Sequence, residues 1–195
     1  MNYLAHLYLA QPNADSYFGN LLGDFGGKAH INGLAKPIGL GLKNHYLVDK
    51  FTDNHSEVKN AKLLFSAKRR RFSGIALDVL FDHFLIIHWS KFHDVPFIEF
   101  KTACYRLLKQ NLALMPKQMQ YVVTRITQDD WFKTYESREG VGLALDNIAR
   151  RIRFENTFAG SIEDINLHFD ELESVFSRFF PELIKHVLSN KIEQI

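Results

Sequence analysis

The chain has 195 residues, 46 % of them hydrophobic, which suits one domain with a sizeable core. Its 24 basic and 22 acidic residues leave a net charge of +2, which does not announce a nucleic-acid binder. Cys104 is the single cysteine, so an internal disulfide and a cysteine-based zinc site are excluded and a reducing compartment fits. No apolar run reaches the roughly 18–20 residues a membrane span needs. The opening Met1–Ala10 stretch lacks the basic start of a signal peptide. A soluble cytoplasmic protein is expected.

Residues 2–10 are apolar around His6, and their period does not separate strand from short helix. Taken alone, His6 reads as a hydrogen-bonded core histidine. Residues 11–18, with Pro12, Asn13 and Asp15, form a turn or a helix start. From Phe18 to Gly27, glycines surround Asp24, which suggests a turn that lets an acid reach a cavity from its rim. Residues 28–39 look like a loop. A helix is expected from about Leu40, with His45, Asp49 and Asp53 on one stripe, four residues apart. Such a stripe is either a solvated face or a pair of groups addressing one ion. His55 falls at its end.

A second helix is expected over 56–72, closed by Lys68-Arg69-Arg70-Arg71, where a basic run complements the helix dipole. The helix from about Ser73 to Trp89 is the most apolar in the chain, yet it carries Asp78, Asp82 and His83. Desolvating a carboxylate costs several kcal/mol, so these acids need compensation. A divalent metal, or a buried network to arginine or backbone, supplies it. Amphipathic helices follow over 97–112 and 117–134, with a junction at 128–131. Residues 135–142, with Gly140 and Gly142, read as a loop. A helix over 143–153 ends in Arg150, Arg151 and Arg153. Residues 161–188 read as helix interrupted by Pro181, and the tail after Ser189 as frayed. Strand signals are few, so the expectation is an all-α single domain over 1–195.

The acids and imidazoles of the first half form a discontinuous candidate site: Asp24, His45, Asp49, Asp78, Asp82, His83, and His6 from the first element. These are nitrogen and oxygen donors without thiolate, a set that favours Mn, Mg, Fe or Zn. Phosphodiester hydrolysis is the natural reaction of such a centre. No nucleophile elbow, P-loop or dinucleotide fingerprint is present. Cys104 reads as core.

Four segments in order carry a resemblance: Met1–Ala10, Gly-Asn-Leu-Leu-Gly-Asp-Phe at 19–25, His45 to Asp53, and Leu77 to Trp89. Together they resemble the acyl carrier protein phosphodiesterases over nearly the whole chain. The resemblance implies a helical fold related to the HD-domain metal phosphohydrolases. It implies release of 4'-phosphopantetheine from the serine of acyl carrier protein, a carrier in fatty acid biosynthesis, with a divalent metal, manganese first. One departure is that Asp82-His83 reverses the His-Asp order of the HD signature. On this reading Asp24, His45, Asp78 and Asp82 are the metal set. Asp24, Asp78, Asp82 and His83 are the candidate catalytic groups. His6 and Asp49 orient the ligand imidazoles or serve as alternative ligands. Lys68, Arg69, Arg70 and Arg71, with Arg150, Arg151 and Arg153, are candidate docking surfaces for the acidic carrier protein. The rival readings are another HD-type hydrolase acting on nucleotides, and a non-enzymatic carrier-protein binder.

Overall fold

The computed structural model describes residues 1–27 and 33–194. It is all-α, with no strand among the described residues. Part of the loop expected over 28–39 lies outside those residues. The undecided first segment is a helix, α1 (Tyr3–Tyr8). α2 (Ala14–Leu22) starts at Asn13, whose side chain accepts the Ser16 N–H at 2.9 Å. A 3-10 turn over Gly23–Phe25 follows. α3 (Lys36–Asn54) begins earlier than expected, with Pro37 in its first turn, where its missing N–H costs nothing. His55 ends α3 and caps α4 (Ser56–Leu63), accepting from the Glu57 N–H.

The turn expected around Asp24 is present, as the 3-10 segment closed by Gly26 at a left-handed φ of 77°, but Gly19 has a different use. Gly19 lies inside α2 and Gly41 inside α3, and these two helices pack more closely than any other pair. A Cβ on Gly19 would overlap the Ile38 carbonyl, and one on Gly41 would come within 2.7 Å of the Ser16 carbonyl. Bare backbone on both sides lets the two helices touch.

α5 (Ser73–Ile87) is the central helix, with Ala76, Leu77, Val79, Leu80, Phe81, Phe84 and Leu85 all buried. α6 (Trp89–Phe92), α7 (Phe97–Gln110), α8 (Lys117–Gln128) and α9 (Trp131–Thr134) follow. Cys104 is buried in α7, as expected of a core residue. The junction expected at 128–131 is real: Asp130 takes a left-handed φ of 49° between α8 and α9.

α10 (Arg138–Arg151) contains Gly140 and Gly142, so the loop expected over 135–142 is mostly helix. Gly142 packs against Ile162, and a Cβ on Gly140 would strike the Thr134 carbonyl. The last helical region breaks at His168, giving α11 (Ile162–Leu167) and α12 (Phe169–Asn190). Pro181 lies within α12 and does not end it. Phe176, Phe179 and Phe180 of α12 are buried, and Phe176 meets both Phe81 and Phe84. The tail is not simply frayed. The Glu193 carboxylate accepts from the Ser16 hydroxyl at 2.5 Å, the Asn20 amide at 3.2 Å and the Gln11 N–H at 3.3 Å.

The run at 68–71 does not close a helix either; it is a turn leading into a 3-10 segment over Arg70–Phe72. Arg69 is buried and paired with Glu163 at 2.8 Å and Asp164 at 3.1 Å. Arg69 is therefore a structural residue and no part of an open basic surface. Arg70 donates to the Leu63 and Phe65 carbonyls. The exposed Arg71 lies 5.2 Å from the ring of Phe154, which follows the α10 basic cluster. No helix among the described residues is long and apolar enough to cross a membrane.

Candidate metal centre

The i, i+4 spacing of His45 and Asp49 on α3 places both side chains on one face. His45 Nε2 lies 3.0 Å from Asp49 Oδ2. His6 of α1 comes from the other side, its Nε2 3.2 Å from Asp49 Oδ1. The two imidazoles stack at 4.1 Å with their planes 18° apart. One carboxylate therefore faces two ring nitrogens. Among the described residues, these three are the group whose ligand atoms all lie within 4.8 Å of one another.

Each imidazole carries a sign of readiness for a cation. His45 Nδ1 meets the Asn20 carbonyl at 2.7 Å, so that nitrogen carries the proton and Nε2 is left to face the cluster. Both ring nitrogens of His6 are buried; Nδ1 makes no hydrogen bond, and Nε2 meets only the Asp49 carboxylate. Burial lowers the pKa of His6 to about 3, against the pull of Asp49, so the ring is a neutral donor at pH 7. For His45 burial acts downward too, but Asp49 and Asp24 outweigh it and the pKa rises. Burial would raise Asp49; the His45 and His6 rings and the nearby ammonium override it and hold the carboxylate ionised. The donor chemistry fits a divalent ion of the borderline or hard kind.

Gly23 makes the site possible. A Cβ there would overlap the His45 ring. Gly19 and Gly23, four residues apart, form the α2 edge along which α3 and its histidine pass. That spacing was the available signal for the role, and composition alone did not expose it.

The remaining candidates separate. Asp78 lies beside the cluster, 3.1 Å from the α-amino group of Met1, which also contacts Asp49 at 3.3 Å. Burial would lower the pKa of this ammonium, but the two carboxylates raise it to about 10. Asp24, on the 3-10 turn, is open to solvent on one side and crowded on the others. That crowding pushes its pKa up to about 6, partly offset by His45 and the ammonium. Asp24 and Asp78 thus flank the cluster, although neither joins the three at ligand spacing.

Asp82 is fully buried and turned elsewhere. Its two oxygens accept the Leu4 and Ala5 N–H groups at 3.0 and 2.9 Å, so it caps the start of α1. This is the backbone network that competed with a metal as compensation for the acid. His83 is engaged elsewhere, with Nδ1 on the Tyr135 carbonyl at 2.7 Å and Phe169 beside its ring. Neither member of the reversed Asp82-His83 pair faces the cluster.

Fold and site together define an all-α protein with a buried two-histidine, one-carboxylate centre flanked by two further acids. A family model described as acyl carrier protein phosphodiesterase matches residues 1–183. Relatives described by the same words are 33 % identical in Pectobacterium atrosepticum, covering 95 % of this chain and 96 % of that one. In Serratia proteamaculans the relative is 31 % identical, covering 98 % and 100 %, and in Yersinia enterocolitica 34 %, covering 98 % and 100 %. The chain belongs to the acyl carrier protein phosphodiesterase family. No solved structure matches it.

Proposed function

We propose that the protein hydrolyses the phosphodiester joining 4'-phosphopantetheine to the serine of acyl carrier protein, giving apo-carrier and free phosphopantetheine. His6, His45 and Asp49 would hold a divalent ion, with Asp24 and Asp78 completing the acidic surround. Manganese is the first choice, and magnesium, iron or zinc suits the same donors. The observation that carries this reading is the single Asp49 carboxylate facing two imidazole Nε2 atoms, at 3.2 and 3.0 Å. The kinship with the HD-domain phosphohydrolases that the resemblance implies draws no support from the Asp82-His83 pair, which is engaged away from the cluster.

Bound there, such an ion supplies Lewis acidity toward a phosphoryl oxygen and lowers the pKa of water. The Asn20 carbonyl fixes the His45 tautomer through Nδ1–H. In this proposal the exposed Asp24 carboxylate, whose charge is felt by His45 and Asp49, would accept the proton of the attacking water. Water oxygen adds to phosphorus, the bond from phosphorus to the serine oxygen breaks, and that oxygen leaves with a proton as the serine hydroxyl. The exposed side chains of Lys68, Arg70, Arg71, Arg150, Arg151 and Arg153 would supply charge complementary to an acidic carrier protein.

The test is a mass measurement of holo-acyl carrier protein before and after incubation with the protein and Mn. Loss of the phosphopantetheine mass is expected. A carrier protein that stays intact, while nucleotides are hydrolysed or nothing is, would overturn the assignment.

A further inference from the structure

The helix faces that carry the acids of the centre continue one turn beyond it. On α3, Asp53 follows Asp49 by four residues, and on α5, Gly74 precedes Asp78 by four. Asp49 and Asp78 share the Met1 ammonium, at 3.3 and 3.1 Å. One turn along, Asp53 and Gly74 share Lys62 of α4. Its Nζ lies 3.4 Å from Asp53 Oδ1. A Cβ built on Gly74 would stand 3.7 Å from its Cε and 3.8 Å from its Nζ. The charge of Asp53 is felt at Asp78, as expected when the two levels are separated by one helical turn, about 5.4 Å.

This second level is the outer one. The Asp49 side chain is 36 % exposed and the Asp53 side chain 73 %, so Lys62 meets its partner in water. An exposed lysine–aspartate pair contributes little to stability, and Lys62 can leave Asp53 at small cost. Among the described residues, Lys62 is the one lysine or arginine ion-paired to the stripe of His45, Asp49 and Asp53. That matters for an anion. A phosphodiester approaching Asp24, Asp49, Asp53 and Asp78 meets four carboxylates and needs a compact cation on a flexible stem, which is what a lysine offers.

Building on the hydrolase reading above, we propose that Lys62 exchanges Asp53 for a non-bridging phosphoryl oxygen of the substrate. Lys62 is then a substrate-contacting residue, and Asp53 is the carboxylate that keeps its ammonium beside the centre between substrates. The ligand class is a phosphodiester monoanion, recognised by its charge and not by the groups it joins.

Dimethyl phosphate, an unreactive diester monoanion, is the probe. It is titrated into the protein with Mg present and followed by phosphorus NMR, so binding is read apart from hydrolysis. Lys62→Met keeps the apolar stem and should weaken binding about tenfold or more, the loss expected of one charged hydrogen bond. Lys62→Arg should restore most of the affinity, and Asp53→Asn, which frees the ammonium, should not weaken it. In Lys62→Met, kcat/KM should fall by a similar factor for holo-carrier and for a simple aryl phosphodiester. A lysine that only docked the carrier would move the first alone, and one that only joined α3 to α4 would move neither. Undetectable binding to the wild-type protein, or equal affinity in wild type and Lys62→Met, overturns the proposal. Binding that is lost in Lys62→Met, with a holo-carrier that never loses its arm, upholds Lys62 as a phosphate ligand and removes the hydrolase reading. Carrier cleavage with an unchanged kcat/KM in Lys62→Met keeps the hydrolase and removes Lys62.

Discussion

Gly23 lies so close against the His45 imidazole that one added carbon would take the ring's place. Gly23→Ala should therefore push His45 off Asp49 while leaving α2 helical. A displaced ligand of this kind is expected to weaken divalent-ion affinity by about 10–100-fold. Titration with Mn followed by calorimetry measures it, and unchanged affinity would detach His45 from the ion.

Asp49 and Asp82 are both acids near α1, but they have different tasks. Asp49→Asn should abolish tight Mn binding, because it removes the charge shared by the two imidazoles. Asp82→Asn should keep Mn binding and lose stability instead, since an amide offers one acceptor to the two N–H groups of Leu4 and Ala5. Losing one such bond costs about 1–3 kcal/mol. Metal analysis beside urea unfolding separates the two outcomes.

The same carboxylate sets a pH dependence. Burial raises the Asp82 pKa to about 7, against the opposing pull of the Ala5 and Leu4 N–H groups. The unfolded chain releases this proton near pH 4, so between pH 4 and pH 7 the unfolded state binds fewer protons than the folded one. Stability should fall across that window and level off above it, by at most about 4 kcal/mol from this group. Unfolding curves of the metal-free protein at a series of pH values should show the slope in wild type and a flatter line in Asp82→Asn.

Arg69 and its neighbours should behave in opposite ways. Arg69→Ala leaves the largely buried Asp164 without its guanidinium, while the exposed Glu163 stays solvated, and should cost about 1–3 kcal/mol of stability. It should not alter how the KM for carrier protein depends on salt. Arg150→Glu and Arg153→Glu, both at exposed sites, should raise that KM and reduce its salt dependence, with little change in Tm. A KM independent of salt in the wild type would assign docking to apolar contacts.

Local spacing carried much of the site. His45 and Asp49 were visible as a pair because four residues on a helix bring two side chains to one face. The apolar surroundings of Asp82 showed that a buried acid needed a partner. They did not show which partner, because the Leu4 and Ala5 N–H groups lie 78 and 77 residues away in sequence. His6 looked like a core histidine and is indeed buried; that its Nε2 meets Asp49, 43 residues on, appears only in three dimensions. Gly19, Gly140 and Gly142 read as turn residues because helix propensity registers their cost, whereas helix-to-helix approach is a tertiary fact. Arg69 was indistinguishable in sequence from Arg70 and Arg71 until Glu163 and Asp164 folded over it.

Asn20 serves two masters. Its carbonyl steadies the His45 ring, and its side-chain nitrogen holds the Glu193 carboxylate. A purification handle fused behind that glutamate would tug on the imidazole through one asparagine, so carelessly placed cloning sequence could blunt the enzyme without touching its ligands.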